Sequence, residues 1–224
     1  MHGGRKQQEL AKGFFITFEG GEGAGKSTQI TRLADRLRQK GHVVMVTREP
    51  GGSPGAEQIR GLLVGGAVDR WEPMTEALLH YAARRDHVER TIQPALEAGS
   101  WVISDRFADS TMAYQGYAQG VPREQIEALH RVVLGDFSPA LTLILDIPVE
   151  EGLIRARARS GGAGEDRYER MGQEFHERLR AGYLDIAVRE PDRCVIIDAS
   201  RPVDLVAAAI RAAIRERLGI ALPE

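Results

Sequence analysis

The chain predicts an α/β fold in which a parallel sheet of five strands is flanked by helices, and two observations carry that prediction. Short apolar runs rich in Val, Ile and Phe recur five times, and longer segments with helical spacing separate them. Strand and helix in alternation is the pattern of parallel strands joined by helical crossovers that cover the sheet. At 224 residues the chain suits one domain with a substantial core.

The first run, Phe14 to Glu19, is followed by a helical segment from Ser27 to Gln39, stopped by Gly41. The second run is Val43 to Thr47, and a long helical pattern from Thr75 to Ala98 leads to the third, Trp101 to Asp105. Helical spacing over Arg123 to Leu134 precedes the fourth run, Leu141 to Asp146. Two arginine-rich helical segments, Val149 to Arg159 and Arg167 to Arg189, come before the fifth, Cys194 to Asp198. Pro202 opens a last helix reaching about Leu218. The runs are continuously apolar, which predicts strands buried on both faces.

Residues 1–12 are polar and charged, so they predict a flexible tail rather than a leader or membrane anchor, with residues 13–224 forming one domain. Ser160-Gly161-Gly162-Ala163-Gly164 sits between arginine-rich segments and predicts a mobile lid spanning about 155–170. A formal net charge of −2 supplies no global positive field, which argues against nucleic acid as a partner. The single cysteine, Cys194, lies in an apolar run and reads as a core residue. No disulfide can form within the chain, which suits a cytoplasmic location.

Gly20-Gly21-Glu22-Gly23-Ala24-Gly25-Lys26-Ser27-Thr28 matches the phosphate-binding loop pattern G-x-x-x-x-G-K-[ST], placed as it must be between a strand and a helix. Its glycines let backbone N–H groups turn toward phosphate oxygens, and the positive helix end adds to their field. Lys26 is placed to reach the β- and γ-phosphates of ATP, and the Ser27 hydroxyl to coordinate Mg²⁺. At the ends of the second and third runs stand Thr47-Arg48-Glu49-Pro50-Gly51-Gly52 and Asp105-Arg106. Ligands of open α/β sheets bind at that edge, where Asp105 can orient Mg²⁺ and Arg106 can clamp a phosphate. His80 and Arg84, four apart on a helix, share a face.

Together with Ser110-Thr111-Met112-Ala113-Tyr114-Gln115-Gly116, these stretches resemble the thymidylate kinase family over about Phe14 to Leu218. The resemblance implies a P-loop nucleoside monophosphate kinase fold and a homodimer. The implied reaction transfers the γ-phosphoryl group of ATP to dTMP with Mg²⁺, giving dTDP and ADP. By the same resemblance Glu22 lies near the acceptor sugar and the transferring phosphate. Arg84 and Arg106 hold the dTMP phosphate, and Arg48, Pro50, Thr111, Tyr114 and Gln115 line the acceptor site. The P-loop contains no arginine, as in members that place the catalytic arginine in the lid. Arg159 and Arg167 are the expected candidates for it, with Arg157 third.

His80 stands where the family commonly has a phenylalanine stacked on thymine, so an imidazole titrating between pH 5 and 8 is expected against the base. The chain has no Asn-Lys-x-Asp sequence, which sets aside a guanine-nucleotide switch. A kinase of another nucleoside monophosphate is the nearest alternative, because phosphate clamps look alike in sequence. A nucleotide-binding module without catalysis is a third reading.

Overall fold

The computed structural model describes residues 13–159 and 167–222. The expected tail at 1–12 and the centre of the expected lid, 160–166, lie outside the described residues. Five parallel strands form one sheet: β1 Phe15–Glu19, β2 Val44–Arg48, β3 Trp101–Asp105, β4 Leu141–Asp146 and β5 Cys194–Asp198, in the order β2-β3-β1-β4-β5. Thr17 sits level with Ser104 of β3 and Thr142 of β4. The order reverses at β1, so a crevice opens at its carboxyl end, where the phosphate-binding loop begins.

Nine α-helices surround the sheet among the described residues: α1 Lys26–Gln39, α2 Pro54–Leu63, α3 Pro73–His87, α4 Gln93–Glu97, α5 Ala108–Thr111, α6 Arg123–Leu134, α7 Val149–Arg159, α8 Gln173–Arg189 and α9 Val203–Leu218. Side chains alternate across β1. Phe15 joins Val102, Ile144, Tyr81, Ile92, Tyr114 and Leu179 in a core beneath α3, α6 and α8. Ile16 and Phe18 join Leu33, Leu37, Val206 and Ile210 in a second core beneath α1 and α9. Cys194 is buried in the first core, as expected.

The sequence expectation of strands buried on both faces holds for β1, β3 and β4 but not for β2 and β5. These two are the edges, with one neighbour each, and they leave Val46 and Ile196 exposed. α2 was not anticipated, although its signals are present: the Ser53 hydroxyl accepts from Ala56 N, and Pro54 occupies the first turn. The helix expected over Thr75 to Ala98 is α3 and α4 joined by a π-helical turn, Val88–Ile92. Pro94 has no N–H for a preceding carbonyl, and the wider turn absorbs the mismatch. A second π-helical turn, Met112–Ala118, follows α5. The helix expected from Arg167 begins at Gln173, after Gly172.

The loop after β1 packs against the first turns of α7 at two facing glycines. A Cβ on Gly23 would lie 1.9 Å from Gly152 O, and one on Gly152 would lie 2.6 Å from Glu22 O. Gly152→Ala must therefore displace the phosphate-binding loop. Thermal unfolding and steady-state kinetics should show a loss of about 1 kcal/mol or more and a raised KM for ATP. Gly61→Ala, in α2 with nothing within 4 Å of the added carbon, should stabilise the fold by about 0.5–1 kcal/mol.

Candidate active site

Gly20, Gly23 and Gly25 adopt φ of 130°, 72° and 85°, so the loop takes a path that other residues would take only under strain. It delivers Lys26 to the start of α1, buried, with Nζ donating to Gly20 O and Gly21 O at 3.1 Å each. Burial and then the neighbouring Arg106 lower the pKa of this ammonium, opposed by Asp105, Glu22 and Glu19. Ser27 Oγ donates to Asp105 Oδ2 at 3.3 Å, which joins the helix start to the end of β3.

Arg106 is the hub of the crevice. It is a non-glycine residue with φ of 72°, a left-handed turn that swings its side chain back over the loop. Nη1 donates to Gly20 O at 3.0 Å and to Tyr183 Oη at 3.0 Å, and Nη2 to Glu22 Oε1 at 2.8 Å. The guanidinium lies 5.0 Å from the centre of the Tyr114 ring, and Tyr114 Oη donates to the same Glu22 oxygen at 2.8 Å. Burial would raise the Glu22 carboxyl, but Arg106 and Lys26 outweigh it and hold the group at about 2. Glu22 is therefore a permanent anion and a weak base.

Glu19, which the sequence reading passed over, is wholly buried beneath this hub. It accepts from Phe107 N at 2.7 Å, Ser110 Oγ at 2.6 Å and Tyr183 Oη at 3.2 Å. Burial and the charge of Asp109 raise it to about 7. Its position as the last residue of a strand, immediately before the glycines, was the available signal.

Beside the hub a cleft is lined by Glu22, Pro50, His80, Arg106, Tyr114 and Gln115, and also by Glu49, Arg60, Tyr168 and Glu169. A second cleft, of about 480 Å³, runs along Gly23, Ala24, Gly25 and Thr28 to Arg155 and the loop from Ala199 to Val203. Glu22 and Arg106 border the first and Gly23 the second, so both open beside the loop. A cleft of about 370 Å³ between α6 and α8 contains none of these loop residues.

Several expected residues are committed to protein partners. Arg48 pairs on the surface with Glu57, both Nη2 distances being 3.2 Å, because the turn after β2 brings the first turn of α2 beneath it. Arg84 is buried, donating from Nε to Glu49 Oε2 at 2.7 Å and from Nη2 to Phe107 O and Thr111 Oγ1 at 3.0 Å each. Its charge is compensated by Glu49, so it is not the open phosphate clamp that was expected; Nη1 is buried without a partner among the described residues. Arg167 is likewise not presented to the P-loop. It is fully buried, with Glu76 Oε2 at 2.5 Å and the carbonyls of Leu63, Ala67 and Val68 taking its other N–H groups. An exposed Arg157 and the backbone of Arg159 end α7.

His80 does face the first cleft, but its ring is bonded to Tyr168 Oη at 3.0 Å. Burial, then Arg84, Arg167 and Arg106, lower its pKa to about 3. The expected titration between pH 5 and 8 is corrected: three cations within reach disfavour a fourth, and the imidazole is neutral there.

A family model described as thymidylate kinase matches residues 18–210. A thymidylate kinase of Caulobacter vibrioides is 64% identical over 211 residues, 94% of this chain and all of that protein. One of Bradyrhizobium diazoefficiens is 53% identical, covering 95% and 93% of the two chains. The crystal structure of thymidylate kinase from Ehrlichia chaffeensis superposes with a TM-score of 0.73 at 34% identity, covering 91% of this chain and 98% of that one. The chain belongs to the thymidylate kinase family. Thymidylate kinases phosphorylate dTMP to dTDP with ATP as donor and Mg²⁺.

The oxygen-only pair of Ser27 hydroxyl and Asp105 carboxylate fits Mg²⁺, a hard cation that takes few protein ligands and keeps phosphate oxygens and water around it. Among the described residues no group of three or more His, Cys, Asp or Glu forms an all-protein cage for a metal.

A neutral His80 makes a testable statement about pH. A histidine whose folded pKa is depressed contributes stability above its unfolded value near 6.5 and loses it as pH falls toward 3. Between pH 6 and 8 the ring in the folded protein does not change its charge. KM for dTMP measured in wild type and His80→Phe should follow parallel curves over that range, both bending near pH 6 with the substrate phosphate. A wild-type curve that departs from the variant's below pH 7 would contradict a neutral ring.

Proposed function

We propose that this chain binds ATP along the second cleft and dTMP in the first, and transfers the γ-phosphoryl group across the loop between them. Lys26 exchanges its two loop carbonyls for the phosphates of ATP, and the N–H groups from Gly20 to Thr28 hold their oxygens. When bound, Mg²⁺ neutralises charge on the β- and γ-phosphates. Ser27 and Asp105 would hold it. Arg155 and the Ala199 to Val203 loop flank the nucleoside of ATP.

On the acceptor side Arg106 holds the phosphate of dTMP against the loop, directly opposite the donor. The attacking group is a phosphate oxygen already ionised at neutral pH, so no general base is required, and Glu22 orients the guanidinium and the acceptor sugar by accepting. Tyr114 packs its ring under Arg106 and fixes the same carboxylate. Arg157 and Arg159, at the end of α7, are the arginines proposed to meet the charge that spreads over the transferring group.

The observation that carries thymine as the base is a pair of buried atoms with no partner among the described residues, Gln115 Oε1 and Arg84 Nη1. One is an acceptor and the other a donor. Thymine offers the complement, a donor at N3 and an acceptor at O4, whereas cytosine offers the reverse. Arg84 is thus proposed for the base rather than the phosphate, with Thr111 holding its other arm. Pro50 and His80 supply flat and apolar surface.

Exposed Leu62, Leu78 and Val132 lie on α2, α3 and α6, of which α3 packs against both others, and these exposed apolar side chains support the proposal of a homodimer. No described helix is long and apolar enough to cross a membrane, and we propose the cytoplasm as location.

Coupled measurement of ADP formation with dTMP, dUMP, dCMP and dGMP tests the substrate assignment. kcat/KM for dTMP should exceed that for dCMP and dGMP by about 100-fold or more, since each mismatch strands buried polar atoms. Comparable values for dCMP would overturn it.

A further inference from the structure

Glu76 lies in the first turn of α3, fully buried, and it does not line the acceptor cleft. Its Oε2 takes the Arg167 guanidinium at 2.5 Å. Its Oε1 accepts from Gln115 Nε2 at 2.7 Å, Tyr168 Oη at 2.8 Å and, at 3.4 Å, Gln119 Nε2. All four of these partners are donors, so both carboxylate oxygens act as acceptors, and every neighbour presents a donor to them.

That requirement fixes polarity further out. The two ends of a glutamine amide have nearly the same shape, and only their partners decide which end points where. With Nε2 committed to Glu76, the Gln115 oxygen is the atom left over, buried and unpartnered in the cleft wall. Tyr168 gives its hydroxyl proton to Glu76, so its oxygen accepts from His80 Nε2–H, and the ring is held as that tautomer. One carboxylate thereby orders both the Gln115 oxygen in the cleft wall and the His80 ring that faces the cleft.

We infer that Glu76 is a positioning residue for base specificity: by holding Gln115 with its oxygen toward the acceptor, it favours thymine, whose N3–H donates, over cytosine, whose N3 accepts. The inference rests on Gln115 reading the base, as proposed above. A glutamine at position 76 can donate as well as accept, which releases the Gln115 amide to turn and offer its N–H groups to cytosine N3.

The test is kcat/KM for dTMP and dCMP in Glu76→Gln, Gln115→Leu and the double variant. Glu76→Gln should lower the dTMP to dCMP ratio by about tenfold or more, the equivalent of one misdirected hydrogen bond, mainly through KM for dTMP. In the Gln115→Leu background the same change should move the ratio less than about twofold, because the group through which Glu76 acts is gone. A purely structural Glu76 would reduce both substrates together and leave the ratio unmoved, which overturns the inference. If Gln115→Leu itself preserves the ratio, Gln115 does not read the base and both proposals fall. If it collapses the ratio while Glu76→Gln does not, this inference alone falls.

Should Glu76→Gln not fold, the wild-type protein answers by NMR. On adding dTMP the Gln115 side-chain carbonyl carbon should shift while its NH₂ protons hold their positions and their protection from exchange. Shifted NH₂ protons with an unmoved carbonyl would overturn the inference.

Discussion

The site depends on the placement of one guanidinium. Arg106 leaves β3 through a left-handed turn and ties the carbonyl of Gly20, the carboxylate of Glu22 and the hydroxyl of Tyr183 into one cluster. These groups come from the phosphate-binding loop and from α8, which the chain order keeps far apart, and the sheet order brings them to the end of β1. The turn at Arg106 is held by Glu19, which captures the next backbone N–H, that of Phe107. Two cations, the buried Lys26 and the partly buried Arg106, thus stand over two acids, the buried Glu19 and the partly buried Glu22, whose responses diverge. Glu22 contacts Arg106 directly and is held near 2, while Glu19 lies deeper, beside Asp109, and is raised to about 7. The cluster is poised to take up the negative charge of phosphates, because part of its own is masked by burial.

Much of this was legible in the sequence. The five strands, the helices at each end and the loop that begins at Gly20 follow from local pattern, since apolar period and glycine placement are local properties. Local pattern also marked Lys26, Ser27, Asp105 and Arg106, to which the resemblance to the family added Gln115. It could not show how charges would be compensated. Arg84, Arg48 and Arg167 read alike as arginines near a phosphate site, yet Glu49 neutralises the first, Glu57 the second and Glu76 the third. The last pair is separated by 91 residues. His80 was expected to titrate as an ordinary histidine, and the cations that prevent it come from α3, from the end of β3 and from the segment before α8. α2 and the two π-helical turns were missed for a different reason: short or irregular helices leave little periodicity to detect.

A buried polar network sets direction as well as affinity. Hydrogen bonds have polarity, so a single acceptor-only group propagates its demand through every side chain that can serve as donor or acceptor. Glu76 imposes such an order on Gln115, Tyr168 and His80 without touching the cleft, and Glu49, which borders the cleft, orders Arg84 and His87, whose other nitrogen meets the Thr47 hydroxyl. The acceptor pocket is thereby presented with its donors and acceptors already assigned, which limits the reorganisation that binding requires.

On this reading Arg106 joins the two substrate sites by holding the acceptor phosphate against the loop. Calorimetric titration of dTMP and of thymidine, which lacks that phosphate, into wild type and Arg106→Gln separates this from any role in binding the nucleoside. Wild type should prefer dTMP by about 10-fold or more, the worth of a charge-assisted contact, and the variant should bind both ligands alike with thymidine affinity nearly unchanged. A variant that keeps the wild-type preference for dTMP would contradict it.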